Sequence, residues 1–167
     1  MHRLALLLTL LFSPVAQAQE VQNGQQFGAW AVNCSAVAVG RTACVLQQQI
    51  LRSEDRAFVA ALLAFRTPDQ SKTFLSARVP VGVYFPAGFA IRADGTDEVL
   101  NFVWQSCGRD LCEAVAEVSP GALTAFSQTD TSVLGAYRPG IQAENFVFRF
   151  SMDGVIAGLE ALKPAQQ

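Results

Sequence analysis

Residues 27–34 read FGAWAVNC, and their alternating pattern indicates the class of fold. Trp30, Val32 and Cys34 recur at every second position, with smaller or polar residues between them. Successive side chains of a β-strand point to opposite faces, so this spacing predicts a strand with one buried face. The stretch therefore favours a β domain, and the segments that follow extend that prediction.

Further segments carry strand signals, which are alternation and a high content of β-branched or aromatic residues. We predict strands over residues 43–51, 57–65, 79–85, 89–92, 99–107, 113–118, 131–137 and 145–150. The run 57–65 is apolar throughout and would also suit a helix, but its strand neighbours favour a strand. Phe146, Phe148 and Phe150 give the last strand a strictly alternating apolar face.

The end of the chain changes period from two to that of a helix. Apolar residues recur at helical spacing over 155–162, and Ser151 or Asp153 could cap that helix. Gly154 and Gly158 should weaken it by about 1 kcal/mol each relative to alanine. We expect packing on the sheet to hold the helix in place.

A second, shorter helix is predicted after the strand 113–118. Ser119 suits the N-cap and Pro120 the first helical position, where a missing N–H costs nothing. Many short strands and two short helices indicate one mainly β, β-sandwich-like domain with a C-terminal helix.

The first eighteen residues are typical of a cleaved signal peptide. A basic start at 1–3 precedes an apolar run at 4–11, and Ala16-Gln17-Ala18 fits the small-x-small cleavage pattern. The apolar run is well short of the roughly 20 residues that a membrane-spanning helix needs. We expect a cut after Ala18, a mature domain of residues 19–167, and a location in the periplasm or outside the cell.

Cleavage also changes the charge inventory. It removes the only histidine, His2, and one of the twelve basic residues, Arg3, which leaves eleven basic against fourteen acidic residues. This mildly acidic balance gives no reason to expect a nucleic acid partner. No later apolar stretch is long enough to predict a transmembrane segment in the mature chain.

Four cysteines lie in the predicted mature domain, at Cys34, Cys44, Cys107 and Cys112. Local pairing, Cys34 with Cys44 and Cys107 with Cys112, is the simplest arrangement, and each bond would contribute roughly 2–3 kcal/mol. Pairing between the two clusters remains open. The spacings fit neither a thioredoxin-like redox motif nor a zinc ribbon, so structural disulfides are favoured over redox or metal roles.

The mature sequence offers little with which to assemble a catalytic site. Without histidine, Ser-His-Asp and Cys-His mechanisms are excluded, and no phosphate-binding glycine loop is present. Two carboxylate clusters remain, one at a predicted turn and one beside the second cysteine pair: Asp94, Asp97 and Glu98, and Asp110, Glu113 and Glu117. Solvated acidic residues are the favoured interpretation, so we predict no catalytic residues, metal ligands or cofactor.

Tyr84 and Phe85 are the best candidates for a partner-binding surface. They lie in the apolar stretch Val83-Tyr84-Phe85-Pro86, whose composition leaves little room for a polar face. An apolar stretch that cannot turn a polar side to solvent is a candidate interaction site.

Four segments together resemble the invasion-associated locus B family, in the same order and over nearly all of the mature chain. They are FGxWxVxC with CVxQ at 27–47, VPVGVYFPxG at 79–88, CxxxxCxA at 107–114 and SMDGVIAGLEAL at 151–162. The chain departs from the family pattern at Leu111, usually glycine, at Val155, usually phenylalanine, and at Gly158, usually alanine.

The resemblance implies an exported alphaproteobacterial protein, and it brings no catalytic residues. The namesake is linked to host-cell invasion, although most members come from bacteria that invade nothing. We therefore expect a non-catalytic binding protein of the envelope whose partner is a protein or other envelope component. A carboxylate-dependent hydrolase and a thiol-active envelope protein are the alternatives.

Overall fold

The computed structural model describes residues 21–128 and 132–163. The predicted signal peptide and its cleavage site lie outside the described residues. Within the described part, the strands are β1 (Gln26–Phe27), β2 (Trp30–Ala38), β3 (Arg41–Leu51), β4 (Phe58–Arg66), β5 (Thr73–Pro80), β6 (Phe89–Ala93), β7 (Val99–Cys107), β8 (Leu111–Val118), β9 (Ser132–Tyr137) and β10 (Phe146–Ser151). The helices are a 3-10 turn (Phe85–Ala87), α1 (Pro120–Phe126) and α2 (Val155–Ala161).

The strands form a mixed-order but wholly antiparallel sheet, in the order β1-β2-β3-β4-β5-β8-β7-β6-β9-β10. Strand β7 turns the sheet over, because Val99–Phe102 pairs with β6 whereas Val103–Cys107 pairs with β8. The two arms of the sheet enclose one core. The prediction of a mainly β, sandwich-like fold with a short C-terminal helix is confirmed.

The stretch at 27–34 supplies the centre of that core. Trp30 and Val32 are buried, as their alternation predicts. The indole Nε1 of Trp30 donates to the main-chain oxygen of Ser151 at 3.1 Å, which joins the first arm of the sheet to the last strand. Phe148 and Phe150 are buried on the facing arm, while Phe146 stays more than one-third exposed at the start of β10.

Both disulfides are local, so the predicted pairing is confirmed and the cross-paired alternative is wrong. Cys34 and Cys44 lie directly opposite each other on β2 and β3, with Cα atoms 4.0 Å apart. Cys107 and Cys112 hold the same relation on β7 and β8, with Cα atoms 3.9 Å apart. Each bond therefore closes a hairpin that the sheet already pairs.

The strand predicted over 79–85 is wrong in its bounds. Strand β5 runs from Thr73 to Pro80, where it lies between β4 and β8, and it ends before Gly82. Gly82 has a φ of +101°, which breaks extended geometry and suits glycine. The alternation that marks β5, with Leu75, Ala77 and Val79 buried, begins earlier than the predicted segment.

Helix α1 begins as predicted, with the Ser119 hydroxyl accepting from the main-chain N–H of Ala122 at 3.2 Å. Helix α2 differs from the prediction, because its N-cap is Gly154 and neither Ser151 nor Asp153. The Ser151 hydroxyl instead accepts from the Asp153 main-chain N–H. Gly154 has a φ of +85°, a conformation that serines and aspartates rarely adopt.

The glycines of α2 mark close packing where the sequence predicted only weakness. A Cβ built on Gly158 would lie 2.6 Å from Cδ1 of Leu46, which is fully buried. A Cβ is never found that close to another side chain, so Leu46 fills the space that alanine would need. Because Gly158 has no side chain, α2 can pack directly against Leu46 of the sheet.

Candidate binding surface

The segment with the two candidate residues, Tyr84 and Phe85, leaves the sheet as a loop. It connects β5 to β6 and contains the 3-10 turn, whose first residue is Phe85. Gly88, with a φ of +69°, ends that turn and returns the chain to β6. The segment is therefore exposed because it is a connection between strands, and an apolar connection is unusual.

Phe85 projects its ring partly into solvent from a fixed position. Half of its surface is exposed (50%), and its ring meets the edge of the Trp104 ring with centroids 5.8 Å apart. The ring of Trp104 in turn lies beside that of the buried Phe89, with centroids 6.4 Å apart. Phe85 is thus the outer end of a series of edge-to-face aromatic contacts that begins in the core.

Tyr84 ties this loop to the connection between β9 and β10. Its main-chain N–H donates to the carbonyl oxygen of Arg138 at 2.8 Å. The Arg138 guanidinium lies over the tyrosine ring, 5.8 Å from its centroid, which is within reach of a cation–π interaction. Tyr84 is half-buried by these contacts, so its role is to fasten two loops together more than to offer surface.

Three connections meet at this end of the sheet. The main-chain N–H of Val81 donates to the carbonyl of Asp110 at 3.1 Å, and a Cβ on Gly140 would be 3.9 Å from the carbonyl of Gly82. Four apolar side chains in or directly beside these connections are exposed by more than one-third, and together we call them the loop-end surface: Val81, Phe85, Leu111 and Ile141.

The sequence predicts one member of the loop-end surface, Phe85, and not the other three. Val81 falls inside the strand predicted over 79–85, and Leu111 stands out in the sequence only as a departure from the family pattern. Ile141 follows Pro139-Gly140, a dipeptide that marks a loop, and this was the available signal. An exposed isoleucine, 71% accessible, directly after such a turn could have been singled out.

The second disulfide lies at the base of one of these connections. Cys107 and Cys112 close the hairpin that carries Leu111, and the N–H of Gly108 donates to the Leu111 carbonyl at 2.8 Å. Leu111 occupies a strand position opposite Pro80. The family's usual glycine is thus replaced by an exposed apolar side chain at the edge of the loop-end surface.

The carboxylates of the first predicted cluster do not converge on a site. Asp94 is bound by the Arg149 guanidinium and accepts from the Ser132 hydroxyl at 3.2 Å. The Arg149 hydrogen bond lowers the pKa of Asp94 from its ordinary value. Asp97 and Glu98 are exposed in the turn between β6 and β7. No cluster suited to a metal ion occurs in the part of the chain that the structure describes.

The second cluster is divided between ion pairs along the sheet. Glu113 accepts from the hydroxyl of Ser76 at 2.6 Å and pairs with Arg78 at 3.3 Å. Glu117 pairs with Lys72 at 2.9 Å. Asp110 contributes its main-chain carbonyl to the loop contact with Val81 described above. Glu113 and Glu117 are thus each engaged by a different cation along the sheet.

All four cysteines are in disulfides, so no free thiol remains. Cys112 is fully buried and Cys44 nearly so, while Cys107 is exposed. In residues 21–128 and 132–163, no helix is long and apolar enough to cross a membrane.

A family model described as "Invasion associated locus B (IalB) protein" matches residues 30–163. The fold is similar to the crystal structure of invasion associated protein B from Bartonella henselae, with a TM-score of 0.67 and 15% sequence identity. That likeness covers 85% of this chain and 95% of the Bartonella chain. No curated protein matches the chain in sequence.

Proposed function

Because the chain belongs to the invasion associated locus B family, we propose that it is an exported protein of the bacterial envelope that works by binding a partner through the loop-end surface. The family is not a known enzyme family. The observation that carries the proposal is that four exposed apolar side chains lie in or directly beside three connections that contact one another.

Apolar side chains on a connection are costly to leave in water, and burying one fully is worth about 1.5–3 kcal/mol. Phe85 and Ile141 are the most exposed of the four, and an aromatic anchor such as Phe85 often dominates the energy of an interface. Their display on loops held by hydrogen bonds and aromatic contacts supports recognition of a partner with an apolar depression. Scattered apolar residues would need no such explanation.

Export is supported by the chemistry of the cysteines and by the leader-like sequence. Disulfides persist in the periplasm and outside the cell and are rare in the cytosol, where thiols are kept reduced. Residues 1–18 have the layout of a signal peptide, so we propose cleavage after Ala18. The mature protein would then act in the periplasm or be secreted.

The two alternative functions find less support in the geometry. A glycan hydrolase needs two carboxyls that face each other with one of them kept protonated. Asp94 and Glu113 are instead held by arginines. A thiol-active protein would have to reduce Cys107–Cys112 first, and only Cys107 of that pair is open to solvent.

A capture experiment with matched variants tests the proposal. The mature protein, with disulfides intact, is used to capture partners from an envelope extract, in parallel with the variant Phe85→Ser/Ile141→Ser. Val39→Ser is the control, because Val39 is fully exposed on the β2–β3 turn and lies outside the loop-end surface.

We expect one captured protein to be retained by the control, lost by the double variant, and bound again when both proteins are purified. Equal capture by all three proteins would show that the loop-end surface is not the binding site. The host-interaction role that the family's name suggests is tested by repeating the capture with host-cell membranes.

A further inference from the structure

A second concave region lies away from the loop-end surface, where the first residues of the domain cross β2 and β3. It is an open groove of about 420 Å³. Its walls come from the segment around Asn23 and from the facing parts of the two strands. Six of its lining side chains are carboxamides: Asn23, Gln26, Asn33, Gln47, Gln48 and Gln49.

Among the described residues that line the groove, none has an ionisable side chain. A charged ligand would give up its hydration there and gain no opposite charge in return. Carboxamides are both donors and acceptors, since each has one carbonyl oxygen and one NH₂ group. The composition of the walls therefore selects a ligand that is neutral and rich in groups that both donate and accept.

Two of the carboxamides form a fixed pair. Asn33 lies on β2, Gln47 on β3, and the Nδ2 of Asn33 donates to the Oε1 of Gln47 at 2.5 Å. After this bond, the Oδ1 of Asn33 can still accept and the NH₂ of Gln47 can still donate. Gln49, two residues further along β3, adds another exposed carboxamide on the same face.

The wall on the side of residues 23–27 is also held in place. The N–H of Gly24 donates to the carbonyl of Val32 at 2.8 Å, and the N–H of Val32 donates to the carbonyl of Gln25 at 2.8 Å. The side-chain oxygen of Asn23 accepts from the N–H of Cys34, also at 2.8 Å. The groove therefore exists before any ligand binds, which reduces the cost of ordering it.

We propose that this groove binds a neutral oligosaccharide. A sugar presents neighbouring hydroxyls, each of which is one donor and two acceptors, and such hydroxyls can bond both to the Oδ1 of Asn33 and to the NH₂ of Gln47. A peptide is the less suitable occupant. The main-chain edge of β2 to which a strand would add is already bonded by Gly24 and Gln25.

The test titrates the mature protein with cellohexaose and chitohexaose, followed by NMR chemical shifts and calorimetry. An acidic oligogalacturonate and a neutral Gly-Ser hexapeptide are the comparison ligands. Asn33→Ala/Gln47→Ala removes both members of the pair together, so no orphaned partner is left. Gln105→Ala is the control, because Gln105 is an exposed carboxamide on β7 outside the groove.

We expect one of the two neutral sugars to bind and the double variant to weaken that binding about tenfold or more, the loss of roughly two hydrogen bonds. The Gln105 variant should bind as the wild type does, and changing NaCl from about 0.05 to 0.5 M should have little effect because no charges pair. Equal thermal melting of the variants shows that folding is intact.

Three results would each overturn the proposal. They are no binding of either neutral sugar, stronger binding of the acidic oligomer or of the peptide, and equal weakening by the groove and control variants. Binding at the groove is independent of the loop-end surface, so Phe85→Ser/Ile141→Ser should keep the sugar affinity of the wild type even if that variant loses its envelope partner.

Discussion

Replacing Gly154 by alanine should destabilise the protein by more than its backbone conformation alone would cost. Gly154 precedes α2 with a φ of +85°, and a Cβ there would lie 2.7 Å from the main-chain nitrogen of Gly28 and closer still to the carbonyl of Phe27. These are backbone atoms at the start of the sheet, so no rotamer change can move them away.

Gly24 is a matched control within the same chain. Its φ is +84°, nearly identical to that of Gly154, but no atom of the described residues lies within 4 Å of a Cβ built on it. Gly24→Ala therefore measures the conformational cost alone, and Gly154→Ala measures that cost together with the clash. The loss of unfolded-state freedom on replacing glycine is common to both variants and cancels in the comparison.

The expected magnitudes follow from these two terms. Holding alanine in the left-handed region costs about 1–2 kcal/mol, and forcing extra volume into a packed contact costs about 1–3 kcal/mol. Gly24→Ala should therefore lose about 1–2 kcal/mol of unfolding free energy and Gly154→Ala about 2–5 kcal/mol.

Urea denaturation under non-reducing conditions measures both losses, provided that the slope of free energy against urea is unchanged. A Gly154 variant no less stable than the Gly24 variant would refute the reasoning. It would mean that α2 is not pressed against the segment at Phe27 and Gly28.

Three further predictions concern the disulfide, the acid limit and the export signal. Replacing Cys107 and Cys112 together by serine should lower the unfolding free energy by about 2 kcal/mol, as a denaturation curve would show, and an unchanged midpoint would contradict the structural role. The pKa of Glu160 is lowered, chiefly by a hydrogen bond from a neighbouring lysine and then by one from an arginine. The stability that the Glu160 carboxylate contributes is therefore present above the ordinary pKa of 4.5, and it is lost as the pH falls through the lowered pKa. Thermal melting between pH 6 and strong acid should accordingly decline less for Glu160→Gln than for the wild type. Mass spectrometry of the exported protein should find Gln19 at the N-terminus, whereas an intact Met1 would rule out cleavage.

Local periodicity explains how much of the fold could be predicted. Alternating residues marked β2, β7 and β10 because each buries one face, and Ser119 with Pro120 marked the start of α1 because a cap acts within four residues. The strand predicted over 79–85 lies too far along the chain, because the apolar run continues past Gly82, whose positive φ interrupts the extended backbone.

The roles of the glycines could not be read from the sequence. Gly154 and Gly158 have low helix propensity, and the weakening of the helix that this implies stays a prediction. Their contacts with Phe27 and Leu46 are made by residues more than a hundred positions away, so only the packed structure shows them. A helix-propensity scale measures how a residue affects the stability of its own helix. It does not include the close contacts that a residue without a side chain allows with distant parts of the chain.

The loop-end surface could likewise be predicted only in part. Tyr84 and Phe85 could be selected because their own segment is apolar. Ile141 follows the loop dipeptide Pro139-Gly140, but the sequence does not show that Ile141 and Leu111 lie near Phe85. That nearness depends on β8 pairing with β5 and on the two loops joined through Tyr84 and Arg138. The surface as a whole therefore has no signature in any one of its segments.

The support beneath the loop-end surface bears on how well it could bind. Phe85 rests on Trp104, and Trp104 rests on the buried Phe89, so the anchor loses little freedom when a partner covers it. The bond between Cys107 and Cys112 likewise restrains the hairpin that carries a further member of the surface. Reducing that bond should therefore weaken partner binding as well as stability, because binding would then have to order the hairpin. The oxidising conditions that we expect outside the cytosol would then be required for function as well as for folding.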